Sequence, residues 1–326
     1  MTKGSPRVSL VTGGAGFIGF NLCKRLLAQG DKVVCIDDMT SGMPQHVDEL
    51  RRHPDFQFIR HDVCKPVELK VDRIFNLACP ASPPAYQSDP IKTTLTSVLG
   101  VRNMLELALA NGARILHSST SEVYGDPLEH PQRESYNGNV KTMGPRACYD
   151  EGKRCAETLL HDYHMMHGVD VRIVRIFNTY GPGMRADDGR AVSNFVTQAL
   201  TGQDLTIYGT GNYTRSFCYV DDLIDGMLRL MELDGDHPEP VNLGNPHEIA
   251  IRDLADMVLA ETGSCSHTIH LANAIDDPRI RCPDITRATQ LLNWKPKVRI
   301  EEGLKETIDY FRRVLAEPEV KTTRER

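Results

Sequence analysis

The chain has 326 residues, enough for about two domains or one large α/β unit with a buried core. Hydrophobic residues make up 40% and charged residues 25%, which is typical of an ordinary soluble globular protein. The formal net charge of −6 gives no reason to expect nucleic acid or an anionic membrane as a partner. An anionic ligand would therefore need local arginines.

Nine cysteines are scattered along the chain without a C-x-x-C pair. This pattern is typical of reduced thiols in a cytosolic protein and argues against a disulfide framework or a zinc site. The N-terminal stretch MTKGSPRVSLVTGG has no signal-type apolar core, and no run approaches the ~20 apolar residues of a membrane-spanning helix. We expect a cytoplasmic protein without a metal centre.

Short strand-like runs alternate with helical patterns from Arg7 to about Arg175. The predicted strands are, in chain order, VSLVT, KVVCI, FQFIR, RIFNLA, RILHSS and VRIVRI. Strands separated by helices need crossover connections, which predict an α/β fold of the Rossmann type, with a doubly wound parallel sheet. Sites in such folds lie at the carboxyl ends of the strands.

The first predicted strand leads into TGGAGFIG, where Gly13, Gly16 and Gly19 precede a helix. Glycine lets the backbone approach a pyrophosphate, and the helix N-terminus supplies N–H donors and a positive dipole. Such a triplet also occurs in merely tight turns. Its position between a strand and a helix favours a cofactor site that includes Phe17 and Ile18.

Asp37 ends the second strand, where a carboxylate would accept hydrogen bonds from the adenosine ribose. The following DMTSGM has no arginine or lysine for a 2′-phosphate, which favours NAD over NADP. Asp62 and Val63 follow the third strand, where Asp62 is placed to read the adenine amino group. Turn or capping roles are the alternatives for both aspartates.

The polar stretch STSEVYGDP follows the fifth strand and is either a solvated turn or a site. Tyr149 and Lys153, in CYDEGKRCAETLL, lie four residues apart and share one helix face. An ammonium beside a phenol favours the phenolate, so the tyrosine can act as a base near neutral pH. Such pairs also arise by chance, but with the glycine-rich turn this one indicates hydride-transfer chemistry.

The composition of the sequence changes after FNTYGPGM, where glycine and proline cluster and the predicted strands become shorter. We expect an NAD-binding domain over residues 1–178 and a smaller substrate-binding lobe over residues 179–326. Residues 215–243 are predicted to return to the first domain, and the charged tail 317–326 is predicted to be flexible.

These motifs resemble the extended short-chain dehydrogenase/reductase superfamily and, within it, the UDP-glucuronate decarboxylase family. TGGAGFIG, STSEVYGDP and Y-x-x-x-K occur in the superfamily's order. Longer segments are similar to the decarboxylases: ACPASPPAYQSDPIKT, TSEVYGDPLEHPQ, GPRACYDEGKRCAE, RIFNTYGPGM, GRAVSNFVTQAL, TRSFCYVDD, NLGNP and DDPRIRCPDI. The resemblance extends from about Val8 to Phe311.

The resemblance implies conversion of UDP-glucuronate to UDP-xylose with bound NAD. Tyr149, assisted by Lys153, would deprotonate the sugar C4 hydroxyl during oxidation of C4. The resulting β-keto acid would lose its carboxylate, and the same NADH would then reduce C4. Thr120 would hydrogen-bond the C4 oxygen, while Ser121 and Glu122 would reach C5. The related 4,6-dehydratases carry an aspartate where Ser121 stands, so the serine argues against dehydration.

The resemblance also implies a set of substrate-binding residues in the crevice. Arg215 and Arg281 would contact the diphosphate or the active centre as bidentate donors. A proton-donor role, assigned to the matching arginine in a relative, is the alternative for Arg281.

The resemblance implies further substrate contacts, and each of these residues could instead have a purely structural role. Asn178, Asn194 and Tyr208 would hold the nucleotide and sugar, or serve as turn asparagines and a core tyrosine. Ser82 and Tyr86, in PASPPAY, would lie over the sugar in a proline-stiffened loop, or form only a rigid connection.

Four positions depart from the decarboxylase pattern. Asn76 replaces a histidine, Asp38 and Lys141 each replace an asparagine, and Gly183 replaces an arginine. Asp38 would place a second carboxylate near the ribose and weaken NAD binding. The other departures leave the substrate and its nucleotide open.

Two other functions are compatible with the same fold: a 4-epimerase and a non-catalytic NAD-sensing protein. A 4-epimerase of a UDP-uronic acid or UDP-hexose would use the same Thr120, Tyr149 and Lys153, but Glu122 beside Ser121 favours decarboxylation. A non-catalytic NAD-sensing protein would be expected to have lost Tyr149 or Lys153.

The helical segments 93–112 and 149–168 are long enough for the four-helix seam with which the superfamily forms homodimers. Their alternative is burial against the sheet alone.

Overall fold

The computed structural model describes residues 6–272 and 280–316. Fourteen strands lie in this part of the chain: β1 Val8–Thr12, β2 Lys32–Asp37, β3 Phe56–Arg60, β4 Arg73–Asn76, β5 Arg114–Thr120, β6 Val171–Ile176, β7 Thr179–Tyr180, β8 Leu205–Tyr208, β9 Thr214–Ser216, β10 Cys218–Tyr219, β11 Val241–Leu243, β12 Glu248–Ala250, β13 Thr268–Leu271 and β14 Ile280–Arg281. The predicted flexible tail lies outside the described residues.

The same ranges contain eleven α-helices: α1 Phe17–Ala28, α2 Pro44–Leu50, α3 Pro83–Ser88, α4 Pro90–Leu95, α5 Val101–Asn111, α6 Ala147–His167, α7 Ala191–Leu200, α8 Val220–Glu232, α9 Ile251–Thr262, α10 Thr286–Leu292 and α11 Ile300–Ala316. A π-helical turn, Thr96–Gly100, joins α4 to α5, and a 3₁₀ turn, Ser121–Tyr124, follows β5. None of these helices has the length and apolar character needed to cross a bilayer.

Seven strands form one parallel sheet in the order β11-β6-β5-β4-β1-β2-β3. The order runs outward from β1 in both directions, so the predicted doubly wound sheet is confirmed. β11 has no counterpart among the six predicted strands, because its three residues are too short to stand out in the sequence. The division into domains at residue 178 stays a prediction.

Apolar helix faces cover both sides of the sheet. On one side, Phe20 and Leu26 of α1 pack with Leu223 and Met227 of α8. On the other side, α5 and α6 supply a second cluster of buried side chains: Met104, Leu105, Leu107, Ala156 and Leu160. Burial of apolar surface contributes about 25 cal/mol per Å², so these faces fix the helices against the strands.

A smaller lobe follows the large sheet and has a core of its own. This core is formed by α7, α9 and α11, with Phe195, Leu254 and Leu304 fully buried. In its three-stranded sheet, β9 pairs antiparallel with β12 and parallel with β14. The register places Arg215 opposite Arg281, which brings two arginines to one wall of the crevice between the lobes.

Candidate active site

A crevice of about 890 Å³ lies at the carboxyl ends of the central strands and is lined by both lobes. The predicted site residues that line it are Gly13, Gly16, Phe17, Ile18, Gly19, Asp37, Asp62, Val63, Ser82, Thr120, Ser121, Glu122, Tyr149, Lys153, Asn178, Asn194, Tyr208, Arg215 and Arg281. Tyr86 is the one predicted site residue that the structure places elsewhere.

The glycine-rich turn leaves no room for side chains. Gly13 has a φ of +71°, and a Cβ there would lie 2.9 Å from the Ala78 backbone. A Cβ at Gly19 would lie 2.2 Å from the carbonyl oxygen of Gly13. Because α1 begins at Phe17, its N-terminus faces the crevice directly after this turn. The residues present therefore fit a bound pyrophosphate.

Asp37 is held at the end of β2 by two backbone donors. The amides of Ala15 and Met39 donate to its carboxylate at 3.1 Å and 2.8 Å. Burial raises the pKa of Asp37, and these hydrogen bonds oppose the rise. The carboxylate thus has a fixed place in the cofactor part of the crevice. The Asp62 carboxylate accepts a hydrogen bond from the Cys64 amide at 2.9 Å, so it stabilises the turn after β3.

Asp38 is paired with a lysine that sequence reasoning missed. Lys92, from α4, forms a hydrogen-bonded ion pair with Asp38 and lies 3.9 Å from Asp62. Burial acts to raise the pKa of Asp38, but the bond from Lys92 holds it below its ordinary value. The second carboxylate is therefore neutralised by a cation that lies far away in sequence.

Thr120 and Tyr149 meet where β5 ends. The Thr120 side chain caps the 3₁₀ turn by accepting from the Glu122 amide at 3.2 Å, and it also interacts with the Tyr149 phenol. Lys153 donates from Nζ to the Ser118 carbonyl at 2.6 Å, and its Nζ lies 5.9 Å from the centre of the Tyr149 ring. Two hydroxyl groups and an anchored ammonium thus share one end of the crevice.

The Tyr149 phenol is neutral in the protein chain alone. Burial raises its pKa, as does the negative charge of Glu122, and the interaction with Thr120 only partly opposes this. Burial also lowers the pKa of Lys153. The role of Lys153 in favouring the phenolate therefore stays a prediction. Tyr149 needs a further positive charge in the crevice to act as a base.

Tyr86 lies behind Tyr149 and does not line the crevice. Its ring stacks on the Tyr149 ring, with centroids 5.1 Å apart and planes 5° apart, and the side chain is fully buried. The predicted loop is helix α3, which begins with Pro83 and Pro84 after Ser82. Proline is favoured in the first turn of a helix, and the helix turns Tyr86 inward. Tyr86 thus makes a packing contact with Tyr149, and its expected contact with the sugar stays a prediction.

Glu122 lies between two arginines. Arg146 donates to its carboxylate at 2.7 Å and 3.0 Å, and Arg281 donates at 3.1 Å. Burial acts to raise the pKa of Glu122, but the charges of Arg281 and Arg146 overcome it and hold the pKa well below its ordinary value. Glu122 is therefore ionised.

Asp150, in the first turn of α6, interacts with Glu122, and its Oδ1 is buried without a hydrogen-bond partner among the described residues. Burial and the charge of Glu122 raise its pKa, so Asp150 is neutral at pH 7. Sequence reasoning missed both Arg146 and Asp150, although the quoted segment GPRACYDEGKRCAE contains them on either side of Tyr149.

The cluster of Glu122, Arg146, Asp150 and Arg281 carries one net positive charge, because two guanidinium groups face one ionised carboxylate. Arg281 is buried, and its Nη2 has no hydrogen-bond partner among the described residues. A buried, unsatisfied charged donor is costly, so this atom needs an acceptor from a ligand. The cluster is therefore suited to an anionic group.

Asn178, Asn194 and Tyr208 all line the crevice, and the two asparagines also form hydrogen bonds within the protein. Asn194 donates to the Gly189 carbonyl at 3.1 Å, and the Asn178 carbonyl accepts from the Cys218 amide at 2.9 Å. Tyr208 is 50% exposed at the end of β8 and is not a core tyrosine.

Three of the departures lie away from the crevice lining. Asn76 is buried in the sheet, where it accepts from Thr12 at 2.8 Å and contacts His117 at 3.1 Å. Lys141 is exposed, and neither it nor Gly183 is among the lining residues. Of the four positions, Asp38 alone is among the crevice residues.

A doubly wound parallel sheet with a glycine-rich first turn and a Thr/Tyr/Lys group beside it defines the class of dinucleotide-dependent enzymes that act on a hydroxyl carbon. The sequence matches the NAD dependent epimerase/dehydratase family over residues 9–244, and the chain belongs to that family.

Relatives with assigned names confirm the resemblance seen in the motifs. UDP-glucuronic acid decarboxylase 1 from Arabidopsis thaliana is 53% identical over 314 residues, which are 96% of this chain and 72% of the relative. UDP-glucuronic acid decarboxylase 1 from Xenopus tropicalis is 50% identical over 94% of this chain and 72% of its own length.

A solved structure with a similar fold is UDP-glucuronic acid 4-epimerase from Bacillus cereus in complex with UDP-glucuronic acid and NAD. Its TM-score is 0.85, its sequence identity is 29%, and the alignment covers 94% of this chain and 99% of that one.

Proposed function

We propose that this protein decarboxylates UDP-glucuronate to UDP-xylose with NAD as its cofactor. The relatives that are named decarboxylases are 50–53% identical, whereas the structurally similar 4-epimerase is 29% identical. The observation that carries the proposal is the net positive cluster around Glu122 and Arg281, which lies beside the hydroxyl pair of Thr120 and Tyr149.

Gly13, Gly16 and Gly19 would hold the pyrophosphate of NAD, and Asp37 would hold its adenosine ribose. When bound, NAD supplies a hydride acceptor and donor for the sugar C4 and the positive charge of its oxidised ring. That charge is what the neutral Tyr149 phenol lacks in the protein chain alone.

Thr120 and Tyr149 would bind the C4 hydroxyl between their own hydroxyl groups, which lie close enough to interact. The C4 hydroxyl proton passes to Tyr149 as C4 is oxidised to a ketone, and it returns from Tyr149 when the ketone is reduced. Lys153, anchored on the Ser118 carbonyl, keeps its ammonium beside the phenol ring throughout.

Arg281 would bind the sugar carboxylate through the Nη2 donor that has no partner in the described protein. Once C4 is a ketone, the C5–carboxylate bond breaks, carbon dioxide leaves, and the electron pair moves into the C4 carbonyl as an enolate. C5 then takes a proton, at a position that Ser121 and Glu122 border. Reduction of C4 completes UDP-xylose with no net change of the cofactor.

We also propose a homodimer in a reducing, cytoplasmic compartment. Leu95 of α4 is 44% exposed and Met166 of α6 is 76% exposed, on the two segments predicted to form a four-helix seam. All nine cysteines are free thiols, which is consistent with a reducing environment. Analytical ultracentrifugation tests this: the parent should sediment as a dimer and Leu95→Glu as a monomer, whereas a monomeric parent would refute the seam.

Product analysis tests the proposed activity. Purified protein with UDP-glucuronate and NAD should release carbon dioxide and give UDP-xylose by NMR, without accumulation of NADH. UDP-4-keto-xylose with stoichiometric NADH would refute the final reduction. An unchanged mass with inverted C4 would instead identify a 4-epimerase.

A further inference from the structure

Three side chains with metal-binding donors meet outside the crevice. They are His130, Glu248 and Cys282, and their donor atoms all lie within 4.8 Å of one another. The His130 Nε2 and the Glu248 Oε2 are 3.0 Å apart. Because the three residues lie far apart in sequence, no zinc motif with short ligand spacing marks them, and they come together only in the fold.

The backbone around this cluster holds the donors in place. The Gln132 amide donates to the Cys282 carbonyl at 2.9 Å, and the Cys282 amide donates to the Gln132 side-chain oxygen at 2.9 Å. These two bonds tie the loop that carries His130 to the segment that follows β14. The backbone that carries the donors is therefore fixed, and the Cys282 thiol, which donates to the Pro246 carbonyl at 3.3 Å, would exchange that bond for the metal.

Glu248 is oriented by a separate bond. Thr214 donates to its Oε1 at 2.6 Å, which leaves Oε2 on the side of His130. Metal-ligating carboxylates are commonly held by such an outer hydrogen bond, because it fixes the direction of the ligating oxygen. Glu248 thus has the supporting contact that a ligand would need.

The donor set and its exposure point to one class of ion. Imidazole nitrogen, carboxylate oxygen and thiolate sulfur together suit zinc, whereas magnesium and calcium prefer oxygen alone. Cys282 is 5% exposed, but the side chains of Glu248 and His130 are 26% and 44% exposed. The open side leaves space for a water molecule as the fourth ligand.

We propose that His130, Glu248 and Cys282 form a zinc-binding site with solvent in the fourth position. Binding replaces the contact between His130 and Glu248 with two coordinate bonds and releases the Cys282 thiol proton to solvent. The metal would join the loop of residue 130 to β12 and to the end of β14. It would therefore brace the segment that carries Arg281, which lies next to Cys282.

Cobalt titration of the full chain tests this site. Protein stripped with a chelator under reducing conditions is titrated with Co²⁺. We expect one equivalent to give a near-ultraviolet sulfur-to-cobalt charge-transfer band and the strong visible bands of four-coordinate cobalt. Zn²⁺ should displace the cobalt and abolish both signals.

Matched variants decide which side chains bind the ion. Cys282→Ser should lose the charge-transfer band, and the exposed His130→Gln should lose at least about tenfold in cobalt affinity. Cys155→Ser and Cys265→Ser, which change exposed thiols elsewhere, should leave both unchanged. If Cys282→Ser does not fold, His130→Gln decides alone, with folding confirmed by circular dichroism.

Three results would overturn the site. They are no charge-transfer band in the parent, a band that survives in Cys282→Ser, and unchanged cobalt affinity in His130→Gln. Because the signal is metal binding and not turnover, its failure is separate from any failure of the proposed decarboxylase activity.

Discussion

The carboxyl groups of Glu122 and Asp150 interact closely, yet the two groups differ in protonation. Glu122 is ionised because Arg146 and Arg281 surround it, and its charge together with burial keeps Asp150 neutral. This difference sets the net positive charge of the cluster.

Asp150→Asn should be more stable than the parent at neutral pH. Burial raises the pKa of Asp150, so between the ordinary value and the raised one only the folded chain holds the proton. Stability therefore falls as pH rises through this window, and asparagine has no such loss. We expect an advantage of at least about 1.4 kcal/mol at pH 7, the equivalent of one pKa unit. Urea unfolding at pH 7 and at pH 4 measures it.

The advantage of Asp150→Asn should shrink toward pH 4, where Asp150 is also protonated in roughly half of the unfolded parent. Glu151→Gln, the next residue on the same helix, serves as the control and should show no such trend. A pH-independent difference, or an unstable variant at pH 7, would mean that Asp150 is ionised in the folded protein.

Arg281→Gln should lose its preference for a uronate. Loss of one partner of a buried, hydrogen-bonded charge pair between two molecules costs about 2–5 kcal/mol, so the affinity for UDP-glucuronate should fall about 30-fold or more. The affinity for UDP-glucose, which has no carboxylate, should change far less. Calorimetric titration with both nucleotide sugars tests this. Arg299→Gln, an exposed arginine, is the control, and an equal loss for both sugars would instead assign Arg281 to the shared diphosphate.

Tyr86 should tolerate loss of its hydroxyl but not of its ring. The hydroxyl is buried without a hydrogen-bond partner among the described residues, so Tyr86→Phe should retain activity within about twofold and full stability. Tyr86→Ala removes the stack on Tyr149 and should cost about 3–5 kcal/mol of unfolding free energy. Thermal unfolding and steady-state kinetics measure both. A large rise in KM for Tyr86→Phe would contradict this and support the substrate contact predicted from the sequence.

Lys153→Met should move the acid limb of the kcat profile to higher pH. The ammonium lies beside the buried phenol, and its loss further favours the neutral form of Tyr149, whose pKa burial already raises. We expect a shift of about one pH unit, so the loss of activity should be greater at pH 7 than at pH 9. A uniform loss at every pH would limit Lys153 to a structural role.

Features that are local in sequence could be predicted, and features that depend on distant contacts could not. The six strand patterns, the glycine turn and the four-residue spacing of Tyr149 and Lys153 each lie within a short segment. The pairing of Lys92 with Asp38 depends on how α4 packs, and no local pattern marks it. The inward turn of Tyr86 likewise follows from the start of α3.

The central claim is a closed cycle in which the hydrogen removed from C4 returns to C4. The most direct measurement uses UDP-glucuronate deuterated at C4, with excess unlabelled NADH in solution, and NMR of the pentose product. The account predicts UDP-xylose with the deuterium still at C4. Loss of the label from C4 would contradict this cycle. So would a labelled six-carbon nucleotide sugar that is inverted at C4.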